Sequence, residues 1–238
     1  MLLIMESLLK DKISGFIIIN KTPGPTSHNI INGLRKITGI KKIGHAGTLD
    51  PIASGVLICA IGREATKKIS QFAGMDKEYE AEIMLGAETD TYDRGGKVTS
   101  ESCRTTIVAV DKIKKVINKF IGKQKQLPPM FSAVKVRGKK LYELARQGKT
   151  SIRPPTDIEI YDIKLIDYNW PKLKILVKCS SGTYIRSLAQ DIGKQLGCGA
   201  YLNELKRTAI GKYRIEKAIN LEKLDKNNYK DYFIIKEF

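Results

Sequence analysis

Residues 41–62 read KKIGHAGTLDPIASGVLICAIG. The first fifteen hold Gly44, Gly47, Gly55 and Pro51 with no apolar period, which predicts a loop. From that last glycine onward, GVLICAIG (55–62) is a short apolar run of the kind that forms a buried strand. Upstream, GFIIIN (15–20) predicts a second buried strand, ending in the turn-rich KTPGPTS. Thr26 or Ser27 then N-caps a helix carrying Ile30, Ile31, Leu34 and Ile37, with Gly39 at its end. Downstream, Lys77 to Leu85 alternates Tyr79, Ala81, Ile83 and Leu85 against Glu78, Glu80 and Glu82, the pattern of a half-exposed strand. A helix is expected from about Thr106 to Phe120, with Val110, Ile113, Ile117 and Phe120 on one stripe. Two strands follow (about 157–168 and 172–179), then a helix from about Thr183 to Leu196 with Ile185, Leu188, Ile192 and Leu196 inward. Strands and helices are interspersed without regular βαβ spacing, so the fold class is α+β with a mixed or antiparallel sheet.

The chain has 238 residues, the size of one large domain or of one domain with an appendage. It carries 42 Lys plus Arg against 25 Asp plus Glu, a formal charge of +17. Such a field attracts polyanions, and nucleic acid is the first partner to consider, with general lysine-rich codon usage as the bland alternative. The placement of charge separates them. Residues 123–153 hold nine cations (Lys123, Lys125, Lys135, Arg137, Lys139, Lys140, Arg146, Lys149 and Arg153) and one acid, Glu143, and predict a solvated basic arm. No stretch reaches the roughly 18 apolar residues of a membrane span, and MLLIMESLLKDK lacks a basic leader and a cleavage site, so the cytoplasm is the expected compartment. Cys59, Cys103, Cys179 and Cys198 show no C-x-x-C spacing and read as buried small hydrophobes or free thiols.

Several chemistries lose support on residue types alone. His28 and His45 are the sole imidazoles, and neither has a Cys or His at metal-ligand spacing. Glu88, Asp90 and Asp93 in ETDTYDRGG read as a polar turn more readily than as a Mg²⁺ site. Gly39 to Gly44 has P-loop spacing, yet His45 stands where the lysine belongs, and neither G-x-S-x-G nor G-x-G-x-x-G occurs. What remains is Asp50, a lone carboxylate in GHAGTLDP. Its glycines allow close backbone approach to a ligand, while an ordinary Asp-Pro turn explains the same residues. Tyr79 reads as a base-stacking ring or a core edge residue, and Arg186, near Tyr184 in SSGTYIRSLAQDIG, as a carboxylate clamp or a surface cation.

Taken together, NKTPGPTS, GHAGTLDPIASGVL, DKEYEAEIMLG, the E-T-D-T-x-D turn, QLPPMFSAVKVRGKKLYELAR, SSGTYIRSLAQDIG and LNELKRTAIG closely resemble the bacterial tRNA pseudouridine synthase B family over roughly residues 15–215. The resemblance implies the pseudouridine synthase fold, with a mixed, largely antiparallel central sheet, flanking helices and a basic inserted arm at about 123–153. It implies isomerisation of the T-loop uridine of tRNA by base flipping, with no cofactor, no metal and no guide RNA. It maps Asp50 onto the catalytic Asp, Tyr79 onto the ring that stacks on the base and Arg186 onto the Arg that pairs with Asp50. It gives Tyr184, Leu205 and His45 pocket roles, and Lys21 and Gly47 substrate contacts. Phe131 and Tyr142 are aromatics interspersed among the arm's cations. One catalytic domain over 1–238, acting as a monomer without a C-terminal PUA domain, is expected. Two alternatives stay open: an RNA-binding or tRNA-folding module without turnover, and a ribosomal RNA pseudouridine synthase.

Overall fold

The computed structural model describes residues 13–101, 107–136 and 138–235. The first twelve residues, Cys103 and Arg137 lie outside the described residues. The protein forms two compact units: one comprises residues up to Lys77 together with those from Lys206 onward, and the other comprises Glu78–Leu205.

In the first unit, strand β1 (Gly15–Lys21) is followed by helix α1 (Ser27–Thr38), β2 (Ile43–Ala46), β3 (Ala53–Ile61) and the short helices α2 (Arg63–Lys67) and α3 (Ser70–Ala73). Local chemistry sets the bounds of α1. Thr26 Oγ1 accepts from the Asn29 N–H while Asn29 Oδ1 accepts from the Thr26 N–H, and Gly39 takes the left-handed conformation that ends the helix. Strand β3 pairs antiparallel with β1, from Gly15 opposite Ile61 to Lys21 opposite Gly55. It also pairs antiparallel with β2, His45 lying opposite Cys59. GHAG is therefore partly strand rather than wholly loop, because β3 supplies the hydrogen-bond partners that its own composition does not advertise. Phe16, Ile18, Val56, Ile58, Phe72 and Ile210 form the core, with Phe16 and Phe72 edge to face at 4.6 Å.

The second unit takes most of β4 (Lys77–Leu85), then β5 (Ala87–Thr89), β6 (Val98–Glu101), α4 (Val110–Asn118), β7 (Gly122–Gln126), β8 (Lys135–Val136), β9 (Lys139–Lys140), α5 (Leu141–Arg146), β10 (Thr156–Asn169), β11 (Lys172–Cys179), α6 (Ile185–Leu196) and β12 (Ala200–Ile210) as far as Leu205. Its sheet has the order β12-β4-β11-β10-β7, with β10 antiparallel to both β11 and β7. Helix α4 starts later than its apolar stripe predicts: Ile113, Val116 and Ile117 are buried while Val110 is 41% exposed. The glutamate face of β4 is also covered. Glu78 and Glu82 are largely buried beneath Lys178, Lys172 and Lys174 of β11, at 3.7 to 3.9 Å. The polypeptide then returns to the first unit through β13 (Tyr213–Arg214), which pairs antiparallel with β12, and β14 (Phe233–Ile235), antiparallel to β1.

The expected basic arm divides. Lys123 and Lys125 lie on β7, an edge strand of the sheet whose charges discourage further pairing. Beyond Gln126 the segment folds back on itself. The β8–β9 hairpin leads into α5, whose first N–H groups donate to Val134 O and Ser132 O at 2.9 and 3.1 Å, and Leu141 is fully buried. Tyr142 is half-buried between the Lys140 ammonium and the Arg146 guanidinium, each about 5.5 Å or less from its ring. Cys59, Cys179 and Cys198 are buried free thiols, as expected.

Candidate active site

The eight residues singled out divide evenly, with Lys21, His45, Gly47 and Asp50 in the first unit and Tyr79, Tyr184, Arg186 and Leu205 in the second. In the first unit Asp50 is half-buried on the loop between β2 and β3. Every second residue of that loop is tied to another element. The Ser27 hydroxyl donates to Leu49 O and accepts from the Leu49 N–H, at 3.1 and 2.9 Å. The Gly24 N–H donates to Pro51 O at 2.8 Å, and Lys21 Nζ donates to Ala53 O at 2.6 Å and to Thr22 O at 3.0 Å. At the loop's start, Arg207 Nη2 donates to Gly47 O at 3.1 Å while its Nε donates to Val56 O at 2.7 Å. The carboxylate thus stands on backbone whose path is over-determined, the condition for holding a reacting group in one geometry.

Two buried cations serve this loop. Lys21 is fully buried, and desolvation pushes its pKa down to about 8; the Asp50 carboxylate opposes that shift and the Arg207 guanidinium adds to it. The ammonium anchors backbone, donating to the Thr22 and Ala53 carbonyls. A pH dependence follows with a definite sign. The unfolded lysine titrates near its ordinary 10.5, so between about pH 8 and 10.5 the folded state binds fewer protons and stability rises with pH; below that window the burial cost is present in full. Lys21→Met removes this contribution. The unfolding free energy of the wild type relative to Lys21→Met is therefore expected to grow between about pH 8 and 10.5 in urea melts, and a flat difference would show that Lys21 is not a depressed base.

His45, on β2, has its pKa lowered by burial and then by the charges of Arg207 and His28, so the imidazole is neutral near pH 7. Its Nδ1 is buried with no hydrogen-bond partner among the described residues.

In the second unit Arg186 is 5% exposed in the first turn of α6, which removes the surface-cation reading. Its Nη2 donates to Phe131 O at 2.8 Å and its Nη1 to Thr91 O at 3.2 Å, with Asp93 Oδ2 at 3.6 Å. Asp93 in turn accepts from Thr91 Oγ1 and the Gly95 N–H. The ETDTYD turn is thereby explained by an arginine and its own backbone, and among the described residues no group of three or more acidic, His or Cys side chains could hold a metal. Tyr184 caps α6 through a reciprocal amide pair, its N–H donating to Gln126 Oε1 at 2.7 Å and its C=O accepting from Gln126 Nε2 at 3.0 Å. Tyr79 on β4 and Leu205 on β12 are 8% and 9% exposed.

Ser27, Gln126 and Arg207 escaped the sequence reading as site residues, and Asp93 figured there in a polar turn rather than as the partner of Arg186. For Arg207 a signal existed. In LNELKRTAIG, Leu205, Arg207 and Ala209 alternate with Lys206 and Thr208, which puts the arginine on the face of two apolar side chains.

The Asp50 carboxylate thus stands on a clamped, glycine-bounded loop within an α+β architecture. Two solved structures share the architecture. A chain in a Cbf5-Nop10-Gar1 complex aligns with TM-score 0.70 at 32% identity, and a chain in an H/ACA RNP bound to a substrate RNA containing 2′-deoxyuridine aligns with TM-score 0.65 at 29% identity. The matches cover 90% and 91% of this chain, which spans about half the length of each of those chains (54% and 53%).

Residues 35–185 match the TruB family pseudouridylate synthase N-terminal domain, and residues 186–235 match the tRNA pseudouridylate synthase B C-terminal domain. The tRNA pseudouridine synthase B of Protochlamydia amoebophila is 50% identical over 87% of this chain and 78% of its own length. That of Chlamydia muridarum is 44% identical over 93% of this chain and 91% of its own. The chain belongs to the TruB family.

Proposed function

We propose that the protein is a tRNA pseudouridine synthase acting on the uridine of the T loop, as a monomer in the cytoplasm. The observation that carries the reading is the Asp50 loop, a carboxylate in the family's motif held by four separate anchors. The reaction breaks the N1–C1′ bond of uridine, turns the base and joins C5 to C1′; C5 loses its proton and N1, freed from the sugar, takes one up. It balances without redox change or second substrate. Asp50 supplies the carboxylate, attacking C1′ or C6 or removing the C2′ proton. By the family resemblance, Tyr79 takes the role of the ring that stacks on uracil, Tyr184, Leu205 and His45 those of pocket residues, and Arg186 that of the arginine paired with the catalytic carboxylate. A uridine within a folded T loop is out of reach of any side chain, so the nucleotide is extruded at a cost of a few kcal/mol.

The test is pseudouridine mapping in tRNA, a T-arm minihelix and ribosomal RNA fragments incubated with purified protein. Conversion at the T-loop uridine is expected. Conversion of ribosomal fragments alone, or tight binding without conversion, would overturn the reading in favour of a ribosomal enzyme or a folding module respectively.

The cations beyond β7 supply the backbone grip. Lys135 and Lys139 are exposed on the β8–β9 hairpin. Replacing both by Ala is expected to weaken tRNA binding and to make the slope of log K against log salt shallower by roughly 1.5, from about 0.7 to 0.9 per phosphate contact. An unchanged slope would place the grip elsewhere.

A further inference from the structure

We propose that Arg207 is a positioning residue of the reaction, fixing the start of the Asp50 loop through the Gly47 carbonyl. The inference rests on the reading of Asp50 as the catalytic carboxylate.

Arg207 is 2% exposed and among the largest fully buried side chains of the protein. Taking a guanidinium out of water is costly, and an apolar side chain of similar volume would serve packing alone as well or better. What the guanidinium does instead is join two backbone carbonyls nine residues apart, Val56 O inside β3 and Gly47 O at the loop's first bend. Its planar fork can serve both directions at once, which a lysine ammonium cannot reproduce. Gly47 is left-handed (φ 85°), and a Cβ built there would lie 3.5 Å from Arg207 Nη1, so the guanidinium packs directly on the glycine.

Without this anchor the other three remain, at Leu49, Pro51 and Ala53. The loop keeps its attachment, and only the entry three residues before Asp50 is released. A small displacement of a reacting group lowers rate far more than it lowers binding. The charges are felt at Lys21, whose pKa the Asp50 carboxylate raises and the Arg207 guanidinium lowers.

The experiment compares Arg207→Met, Arg207→Lys and Asp50→Asn by single-turnover rate, tRNA Kd and thermal midpoint. The expected result for Arg207→Met and Arg207→Lys is a rate about 30- to 100-fold below wild type, with Kd within about twofold, measured well below the midpoint of each variant. Arg207→Lys, which keeps the charge, is the second variant if the methionine protein does not fold. Rates within about threefold of wild type for both, beside an inactive Asp50→Asn, would overturn the proposal and leave the catalytic reading standing. Rate, affinity and midpoint falling together, or failure of both variants to fold, would make Arg207 purely structural and equally overturn it. An active Asp50→Asn would remove the reading on which the proposal rests.

Discussion

Asp50→Asn is expected to abolish pseudouridine formation, with a loss of about 10⁴-fold or more in single-turnover rate, and to leave tRNA affinity within about twofold of wild type. The amide matches the carboxylate in shape and size but carries no charge and is a far poorer nucleophile and base. The loop is expected to survive the change, because Arg207, Ser27, Gly24 and Lys21 anchor its backbone at Gly47, Leu49, Pro51 and Ala53, and the Asp50 carbonyl accepts from the Ala53 N–H at 3.0 Å. Affinity survives because the proposed backbone grip lies in the cationic segment beyond β7. One internal check accompanies the kinetics. The Asp50 charge holds the Lys21 pKa up against burial and Arg207, so its removal is expected to push that pKa below its wild-type value of about 8. Measurable turnover by the variant, in protein shown free of wild type, would end the assignment of Asp50.

How far the residues themselves disclosed this arrangement depends on whether the deciding interaction is local. Helix α1 was legible at both ends because Thr26, Asn29 and Gly39 act within one turn of where they stand. Strands β10 and β11 were legible from runs of apolar and β-branched residues, to within a residue or two of their bounds. By contrast β2 has four residues without an apolar period, and β7 reads GKQKQ; each is a strand only because a neighbour, β3 or β10, offers it a ladder. The candidate catalytic residues came from motif resemblance, while the groups that hold them did not. Arg186 contacts Phe131 and Thr91 across 55 and 95 residues of sequence, and Arg207 reaches Gly47 across 160. A buried arginine bonded to carbonyls looks, in one dimension, like any surface cation, and only the alternation around Leu205 and Ala209 sets it apart.

Gly55→Ala is expected to destabilise the protein by about 3 kcal/mol or more, seen as a fall on the order of 10 °C in the thermal midpoint. Two costs combine at this position. Gly55 has φ 101°, where an L side chain is strained by about 1 to 2 kcal/mol. Its added Cβ would also press on the Arg207 carbonyl oxygen and lie 2.8 and 2.9 Å from the Arg207 N and C atoms. That obstacle is the backbone of the neighbouring strand, so no rotamer change relieves it. Gly24→Ala separates the two costs, since Gly24 has nearly the same φ of 104° and a Cβ there meets nothing within 4 Å. Equal midpoints for the two variants would refute the close approach at Gly55. The consequence for chemistry follows from position: Gly55 stands between Ala53, which accepts from Lys21, and Val56, which accepts from Arg207. Forcing β3 away from Arg207 disturbs both buried cations that anchor the Asp50 loop, so Gly55→Ala loses turnover even at temperatures where it is folded, and Gly24→Ala loses much less.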